Sequence, residues 1–311
     1  MKAAAVIGTG YWGRKHVEEY HRLGIDVYAV DLRKENTDFC AEKGWVKGTY
    51  NDVQDVIKNP DIRYVSVCTP NNTHYQMAKM LLLAGKHVLV EKPFVMEAHQ
   101  GAELIEIAKK RSLNISVGHI FRFNNAVNYV RNCLNAGDFG EPYVLKLSWT
   151  NLEPIYPDRD VLFDLAAHPF DIADYLFSVA PDEIACFGQG YRQGQVEAAF
   201  INSHIGKILL NIEVSWVTPK KERSLVLVGS KATVFVECAR QKVTIYDNEA
   251  AAYRDVDLAP NNTLSDEILE FVRCAENRGT STADAEVGVK IVKLLECAKL
   301  SITSGKIIKA R

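Results

Sequence analysis

Gly8-Thr9-Gly10-Tyr11-Trp12-Gly13 stands directly behind the apolar run 3–7 and directly ahead of a helix-patterned segment over 12–23. Strand, glycine turn and helix in that order give a G-x-G-x-x-G its meaning. The first glycine makes the tight turn, the second lets the backbone approach a pyrophosphate, and the third lets helix and strand pack closely. The helix start adds N–H donors and the positive end of its dipole. A second apolar run, 27–30, ends in Asp31, near the roughly 20-residue offset at which a carboxylate meets the adenosine ribose hydroxyls. A dinucleotide is therefore expected on Gly8, Thr9, Gly10, Tyr11, Trp12, Gly13 and Asp31. The carboxylate favours NAD over NADP because it repels a 2′-phosphate, while Arg33 and Lys34 close behind partly offset that preference.

Outward from this turn, strands are expected near 3–7, 27–31, 64–68, 87–91 and 115–117, with a weaker one near Trp45-Val46. Helices between them are expected over 72–84, stopped by Gly85, and over 97–111. This alternation implies an α/β fold, a Rossmann-type doubly wound parallel sheet. After His119 the texture changes. Helices are expected near 125–136, ending at Gly137, and over 169–177. Short β-branched and aromatic runs cover 143–150, 184–191, 196–203, 208–216, 224–229, 232–238 and 242–246. These predict a C-terminal α+β domain with a large, mainly antiparallel sheet. Leu225 to Val228 and Val234 to Val236 are apolar on both faces, whereas a helix layer covers only one. The open face is expected to form a homodimer or homotetramer. Two helices close the chain, 264–277 with capping-box chemistry at Thr263-Leu264-Ser265-Asp266, and 284–304 ending at Gly305. The expected domains are 1–119 and 120–311.

The 311 residues suffice for two cores, and 37 basic against 39 acidic side chains leave a net charge of −2. There is no global basic field to attract nucleic acid or an anionic membrane, so the expected ligand is a small molecule. Seven scattered cysteines without a C-x-x-C or zinc spacing read as reduced thiols, and no metal is expected. No apolar run approaches ~18 residues and no leader pattern precedes the first strand, so a cytoplasmic location is expected.

Ligands of open parallel sheets sit beyond the carboxyl ends of the strands. Three such loops carry chemistry: Thr69-Pro70-Asn71-Asn72-Thr73-His74, Glu91-Lys92-Pro93, and Gly118-His119-Ile120-Phe121-Arg122. A lysine at a strand end beside a proline is well held as a proton donor or acceptor, although a solvated surface lysine has the same sequence signature. In the second domain the informative stretch is Asp164-Leu165-Ala166-Ala167-His168-Pro169-Phe170-Asp171. Pro169 disfavours helical geometry at His168 and suits a first helical position. This predicts a helix beginning at Pro169, with His168 as its cap and Asp171 in the first turn against the dipole. A buried core histidine and a loop-closing aspartate are the plain alternatives, and a metal site of two Asp and one His has no further ligand cluster to support it.

These motifs together resemble the glucose-fructose oxidoreductase, inositol dehydrogenase and MocA-like oxidoreductases. The resemblance covers almost the whole chain, from the glycine turn and Asp31 through TPNNTH at 69–74, EKP at 91–93 and D-x-x-x-H-x-x-D at 164–171 to Thr282-Ala283-Asp284-Ala285 and Gly305-Lys306. It implies that Lys92 and His168 flank the sugar or polyol hydroxyl being oxidised, that Asp164 completes the catalytic set, and that Asp171 orients substrate. It also implies that Thr69, Asn71, His74, Glu91 and Lys92 line the cofactor cleft. The Lys-Pro peptide is often cis in such proteins, and Lys92-Pro93 is the corresponding bond. Gly118-His119-Ile120-Phe121-Arg122-Phe123-Asn124-Asn125-Ala126-Val127 is similar to the stretch in members that oxidise the 3-hydroxyl of UDP-N-acetylhexosamines. This adds Arg122, pairing with an anionic group, and Asn124 to the expected substrate residues. Relatives often carry glycines where this chain has Leu165, Ala166 and Ala167. The activity implied is NAD-dependent hydride transfer from a sugar secondary alcohol. Alternative substrates are inositol, a free aldose or a dihydrodiol, and the alternative class is a non-catalytic dinucleotide-binding sensor.

Overall fold

The computed structural model describes residues 2–192 and 194–310. They divide into two compact units. One holds the residues up to Ile120 together with Asn262–Val289, and the other holds Phe121–Asn261 with the residues from Lys290 onward.

The first unit runs β1 (Ala3–Ile7), α1 (Tyr11–Arg22), β2 (Val27–Val30), α2 (Lys34–Glu42), β3 (Gly48–Tyr50), α3 (Val53–Lys58), β4 (Ile62–Val67), α4 (His74–Leu83), β5 (His87–Val90), α5 (Ala98–Arg111) and β6 (Ile115–Val117). Its six strands pair in parallel in the order β3-β2-β1-β4-β5-β6. Strand order reverses between β1 and β4, which opens the crevice that a doubly wound sheet offers to ligands. The strand expected at Trp45-Val46 lies instead at Gly48–Tyr50. Trp45 packs edge-on against Phe39, with ring centroids 6.0 Å apart, and belongs to the core rather than to the sheet.

The second unit runs α6 (Asn125–Ala136), β7 (Pro142–Thr150), α7 (Ala167–Phe177), β8 (Glu183–Gln189), β9 (Ala198–Ile205), β10 (Ile208–Ser215), β11 (Glu222–Gly229), β12 (Ala232–Glu237), β13 (Lys242–Asp247) and β14 (Ala252–Val256). The closing elements are α8 (Thr263–Asn277), α9 (Ala285–Ser304) and β15 (Ile308–Lys309). The nine-stranded sheet has the order β14-β13-β12-β11-β7-β10-β9-β8-β15 and is antiparallel except for β7 against β10. Leu145, Leu147, Ile212, Val214, Leu225, Leu227 and Val234 are buried on one face, against which α6 and α7 pack. Phe187, Phe200, Leu209 and Tyr253 stand exposed on the other.

Residues 262–289 were expected in the second domain and fold with the first. Leu264, Ile268, Phe271 and Ala275 repeat at helical spacing and join Val17 and Tyr20 of α1 in one buried cluster. Burying a side chain such as Phe271 contributes about 1.5–3 kcal/mol. The cap of α8 is Asn262, whose Oδ1 accepts from Ser265 N–H at 3.2 Å, so Thr263 is already helical.

The expected helix start at Pro169 is also corrected. Leu162–Ala166 forms a π-helical turn that runs straight into α7, and Asp160 opens the helical run by accepting from the N–H groups of Leu162 and Phe163 at 3.1 and 3.2 Å. Pro169 lacks an N–H and its ring crowds the carbonyl four residues back. The wider π turn ahead of it relieves that conflict without ending the helix.

Candidate active site

The three glycines of the first turn have three different reasons to be glycine. Gly8 has φ +86°, and a Cβ there would lie 2.6 Å from the Cys68 carbonyl oxygen behind β4. A Cβ on Gly13 would lie 1.9 Å from the Gly8 carbonyl oxygen, so it is the point of helix–turn contact. Around Gly10 no atom would come within 4 Å of such a Cβ, which leaves the turn open on that side. Among the described residues no side chain caps α1 and no acidic group sits in its first turn. Open space over Gly10 and uncapped N–H donors fit a dinucleotide pyrophosphate.

Asp31 is held by its neighbours. Its Oδ2 accepts from Thr9 N–H at 2.9 Å and Asn36 Nδ2 at 3.0 Å, and its Oδ1 accepts from Arg33 N–H at 2.9 Å. A carboxylate takes about four hydrogen bonds, so Oδ1 retains acceptor capacity. Arg14 braces the assembly, donating to Thr9 O at 3.2 Å and Asn36 Oδ1 at 2.9 Å while lying 4.1 Å over the Phe39 ring. Sequence reading missed Arg14 and Asn36, since neither lies in the motif.

Thr69 and Asn71 follow β4, with Asn71 opening a 3₁₀ turn over Asn71–Thr73. Both ring nitrogens of His74 face carbonyl oxygens, Nε2 that of Thr69 at 2.9 Å and Nδ1 that of Pro93 at 2.8 Å. The ring thus braces one strand-end loop against the next. The Lys92-Pro93 peptide is cis. Glu91 turns inward, accepting from His16 Nε2 at 3.0 Å and from Lys92 N–H at 3.0 Å. Burial alone would raise the pKa of its carboxyl, but the bond from His16 and the neighbouring Lys92 outweigh that and hold it below the ordinary range. The half-buried Lys92 is the lysine of this strand-end turn.

In the second unit, His168 meets Phe121 edge-on at 5.0 Å, and Phe121 in turn meets Trp149 at 5.3 Å, which fixes the imidazole plane. Asp164 lies one helical turn before His168. Its Oδ2 accepts from Trp216 Nε1 at 2.9 Å, and Arg159 Nε stands 3.5 Å from its Oδ1. The structure therefore sets Asp164 and His168 on one continuous helical run.

Three residues expected at the substrate are used inside the fold. Arg122 is buried and donates to Asp171 Oδ1 and Asp174 Oδ2, both at 2.6 Å. Asp171 is wholly enclosed, and burial pushes its carboxyl up to about 7 against the pull of Arg122. Asn124 caps α6, accepting from Ala126 and Val127 N–H at 3.0 and 3.2 Å while donating to Cys238 O at 2.9 Å. Among the described residues no group of three or more His, Cys, Asp or Glu side chains suits a metal ion, the seven cysteines are free thiols, and no helix is long and apolar enough to cross a membrane.

Comparison with known proteins agrees with this geometry. Residues 2–119 match the GFO_IDH_MocA oxidoreductase family, NAD-binding Rossmann fold, and residues 127–235 match the GFO/IDH/MocA C-terminal domain. An uncharacterized oxidoreductase of Synechocystis is 32% identical over 192 residues, 57% of this chain and 51% of that one. UDP-N-acetylglucosamine 3-dehydrogenase of Acidithiobacillus ferrooxidans is 27% identical over 300 residues, 92% of this chain and 93% of the relative. A solved structure of an enzyme of that name and organism superposes with a TM-score of 0.86 at 24% identity, covering 97% of this chain and 98% of the other. Myo-inositol 2-dehydrogenase of Thermotoga maritima is 23% identical over 333 aligned positions, 98% of this chain and 97% of the relative. With the glycine turn, Asp31 and both matched regions in place, the chain belongs to the GFO/IDH/MocA oxidoreductase family, as an NAD-dependent dehydrogenase acting on CH–OH groups.

Proposed function

We propose that the chain oxidises the 3-hydroxyl of a UDP-N-acetylhexosamine with NAD. The observation that carries this reading is the likeness to UDP-N-acetylglucosamine 3-dehydrogenase, which extends over 92% of this chain. NAD, when bound, supplies the hydride-accepting nicotinamide carbon. Gly10 and the α1 start hold its pyrophosphate, and Asp31 holds its ribose. Lys92 and His168 are the groups that accept the hydroxyl proton and stabilise the developing alkoxide, with Asp164 completing the set. Arg122 and Asp171 support this chemistry from inside the second unit by holding α7 in place, rather than by touching substrate.

We further infer that the exposed face of the nine-stranded sheet associates two copies of the chain. Phe187 is 75% exposed and lies in register with Phe200, which is 51% exposed. An aromatic pair of that exposure is unusual on a monomer.

The test is a panel of UDP-sugars, free sugars, inositol and dihydrodiols, followed through the absorbance of reduced cofactor. The proposal requires the UDP-N-acetylhexosamines to be turned over with the highest kcat/KM. A preference for inositol would replace it with the activity of the Thermotoga relative. Tight NAD binding with no turnover on any alcohol would make the chain a sensor.

A further inference from the structure

His16 lies on α1, three residues past the last glycine of the turn, and is fully buried. Its Nε2 is 3.0 Å from Glu91 Oε1 and its Nδ1 is 3.2 Å from Ser66 Oγ, which is 3.1 Å from the Tyr20 hydroxyl. Donation from Tyr20 O–H to Ser66, from Ser66 O–H to His16 Nδ1, and from His16 Nε2–H to Glu91 satisfies each of these contacts with a neutral imidazole. The other carboxylate oxygen of Glu91 accepts the backbone N–H of Lys92 at 3.0 Å. A Cβ on Gly118 would lie 3.0 Å from its Oε2, so glycine at that position leaves the carboxylate its space.

We propose that His16 is a positioning residue for Lys92, acting through the Glu91 carboxylate. The proposal rests on the reading of Lys92 as the group at the reacting hydroxyl. Three segments of the first unit meet at this carboxylate: α1 through His16, the turn after β5 through Glu91 itself, and the turn after β6 through Gly118. The helix that starts at the cofactor turn is thereby tied to the peptide that sets the direction of the Lys92 side chain. Without the imidazole, Glu91 is a buried anion that has lost a charge-assisted hydrogen bond, and it relieves that cost by rotating or taking up a proton. Rotation breaks the bond to the Lys92 N–H, and protonation weakens it by removing the acceptor's charge. A displacement of about 1 Å at a catalytic group costs on the order of 10²-fold in rate.

The experiment compares His16→Leu, which removes the donor, with His16→Gln, whose Nε2 replaces that of the imidazole. Gly118→Ala presses on the same carboxylate from the opposite side. On the sugar that wild type oxidises, His16→Leu and Gly118→Ala are expected to lower kcat on the order of 10²-fold with KM for NAD within about twofold, while His16→Gln keeps most of the rate. Reductive methylation with ¹³C-formaldehyde supplies a readout that needs no substrate. The dimethyl-Lys92 signal, assigned by its loss in Lys92→Arg, is expected to shift in His16→Leu and to return in His16→Gln. An unmoved Lys92 signal in His16→Leu and Gly118→Ala overturns the proposal whatever the substrate proves to be. Loss of NAD binding in parallel with kcat overturns it too, because that marks a purely structural role for α1. If His16→Leu does not fold, Gly118→Ala and His16→Gln decide by the same readouts. A shifted signal with no sugar turned over by wild type retains the positioning role and refutes only the assigned activity.

Discussion

Gly10→Ala separates the cofactor cradle from the fold. In the protein a Cβ at Gly10 meets no atom within 4 Å, and the backbone there, φ −71° and ψ −152°, is extended. Alanine gains about 0.4–1 kcal/mol from a less flexible unfolded chain and gives up a similar amount as a poorer helix N-cap, so stability changes by less than about 1 kcal/mol. The added methyl occupies the space through which a pyrophosphate reaches the N–H groups of α1. Loss of two charge-assisted hydrogen bonds, each about 1.5–3 kcal/mol, raises Kd for NAD by roughly 10²-fold or more. Gly13→Ala is the contrasting control. Its Cβ would lie 1.9 Å from the Gly8 carbonyl oxygen, so the helix or the turn must move by more than 1 Å. That overpacking costs about 3 kcal/mol, the upper end of the usual range, and lowers Tm by several degrees. Isothermal titration with NAD and thermal unfolding of both variants read the two effects apart. Wild-type affinity in Gly10→Ala would refute the cradle, and a Tm fall matching that of Gly13→Ala would refute the open geometry.

Lys92→Met and His168→Ala are each expected to fold and bind NAD while losing about 10²- to 10⁴-fold in kcat; full turnover in either removes that residue from the chemistry. Because burial pushes the Asp171 carboxyl up to about 7, the folded state holds its proton more tightly than the unfolded chain does. The resulting stability is complete at low pH and is lost as pH rises through about 7, a difference on the order of a few kcal/mol between about pH 5 and about pH 8. Asp171→Asn is expected to flatten that part of the urea-unfolding profile, and an unchanged pH slope in the variant counts against the raised carboxyl. Phe200→Asp on the exposed sheet face is expected to convert the oligomer to monomers by light scattering with kcat/KM for NAD little changed; a monomeric wild type dismisses the interface.

The β1–α1–β2 segment was legible because Gly8 takes a positive φ and Gly13 meets the Gly8 carbonyl five residues before it, and such local demands are written in adjacent residues. Trp45-Val46 misled for a related reason. An apolar pair signals burial, but whether it is buried in a strand or beside one depends on Phe39, which lies on a preceding helix. The short α2 and α3 carry few apolar positions, and β14 is exposed along most of its length, so neither period stands out. The apolar stripe of α8 was visible, yet a stripe states that a helix packs without stating on which unit. His16 drew no reading from the sequence, because its bond to Glu91, 75 residues away, has no counterpart in local pattern.

Arg122 shows where a stronger inference from sequence was available. Its position just past a strand end suggested a ligand contact, and position alone does not say whether a charge is already spent. The sequence of α7, Ala167–Phe177, holds two carboxylates, Asp171 and Asp174, and neither Lys nor Arg. They stand three residues apart, on the same face of a helix whose other residues are mostly apolar. Burying such a helix with two uncompensated anions costs several kcal/mol for each, so the fold must bring a cation from elsewhere in the chain. A guanidinium meets that demand better than an ammonium because its planar fork serves two carboxylates at once. Arg122 does so by donating to both, and the partner of α7 is thus implied by the composition of the helix even though its identity is not.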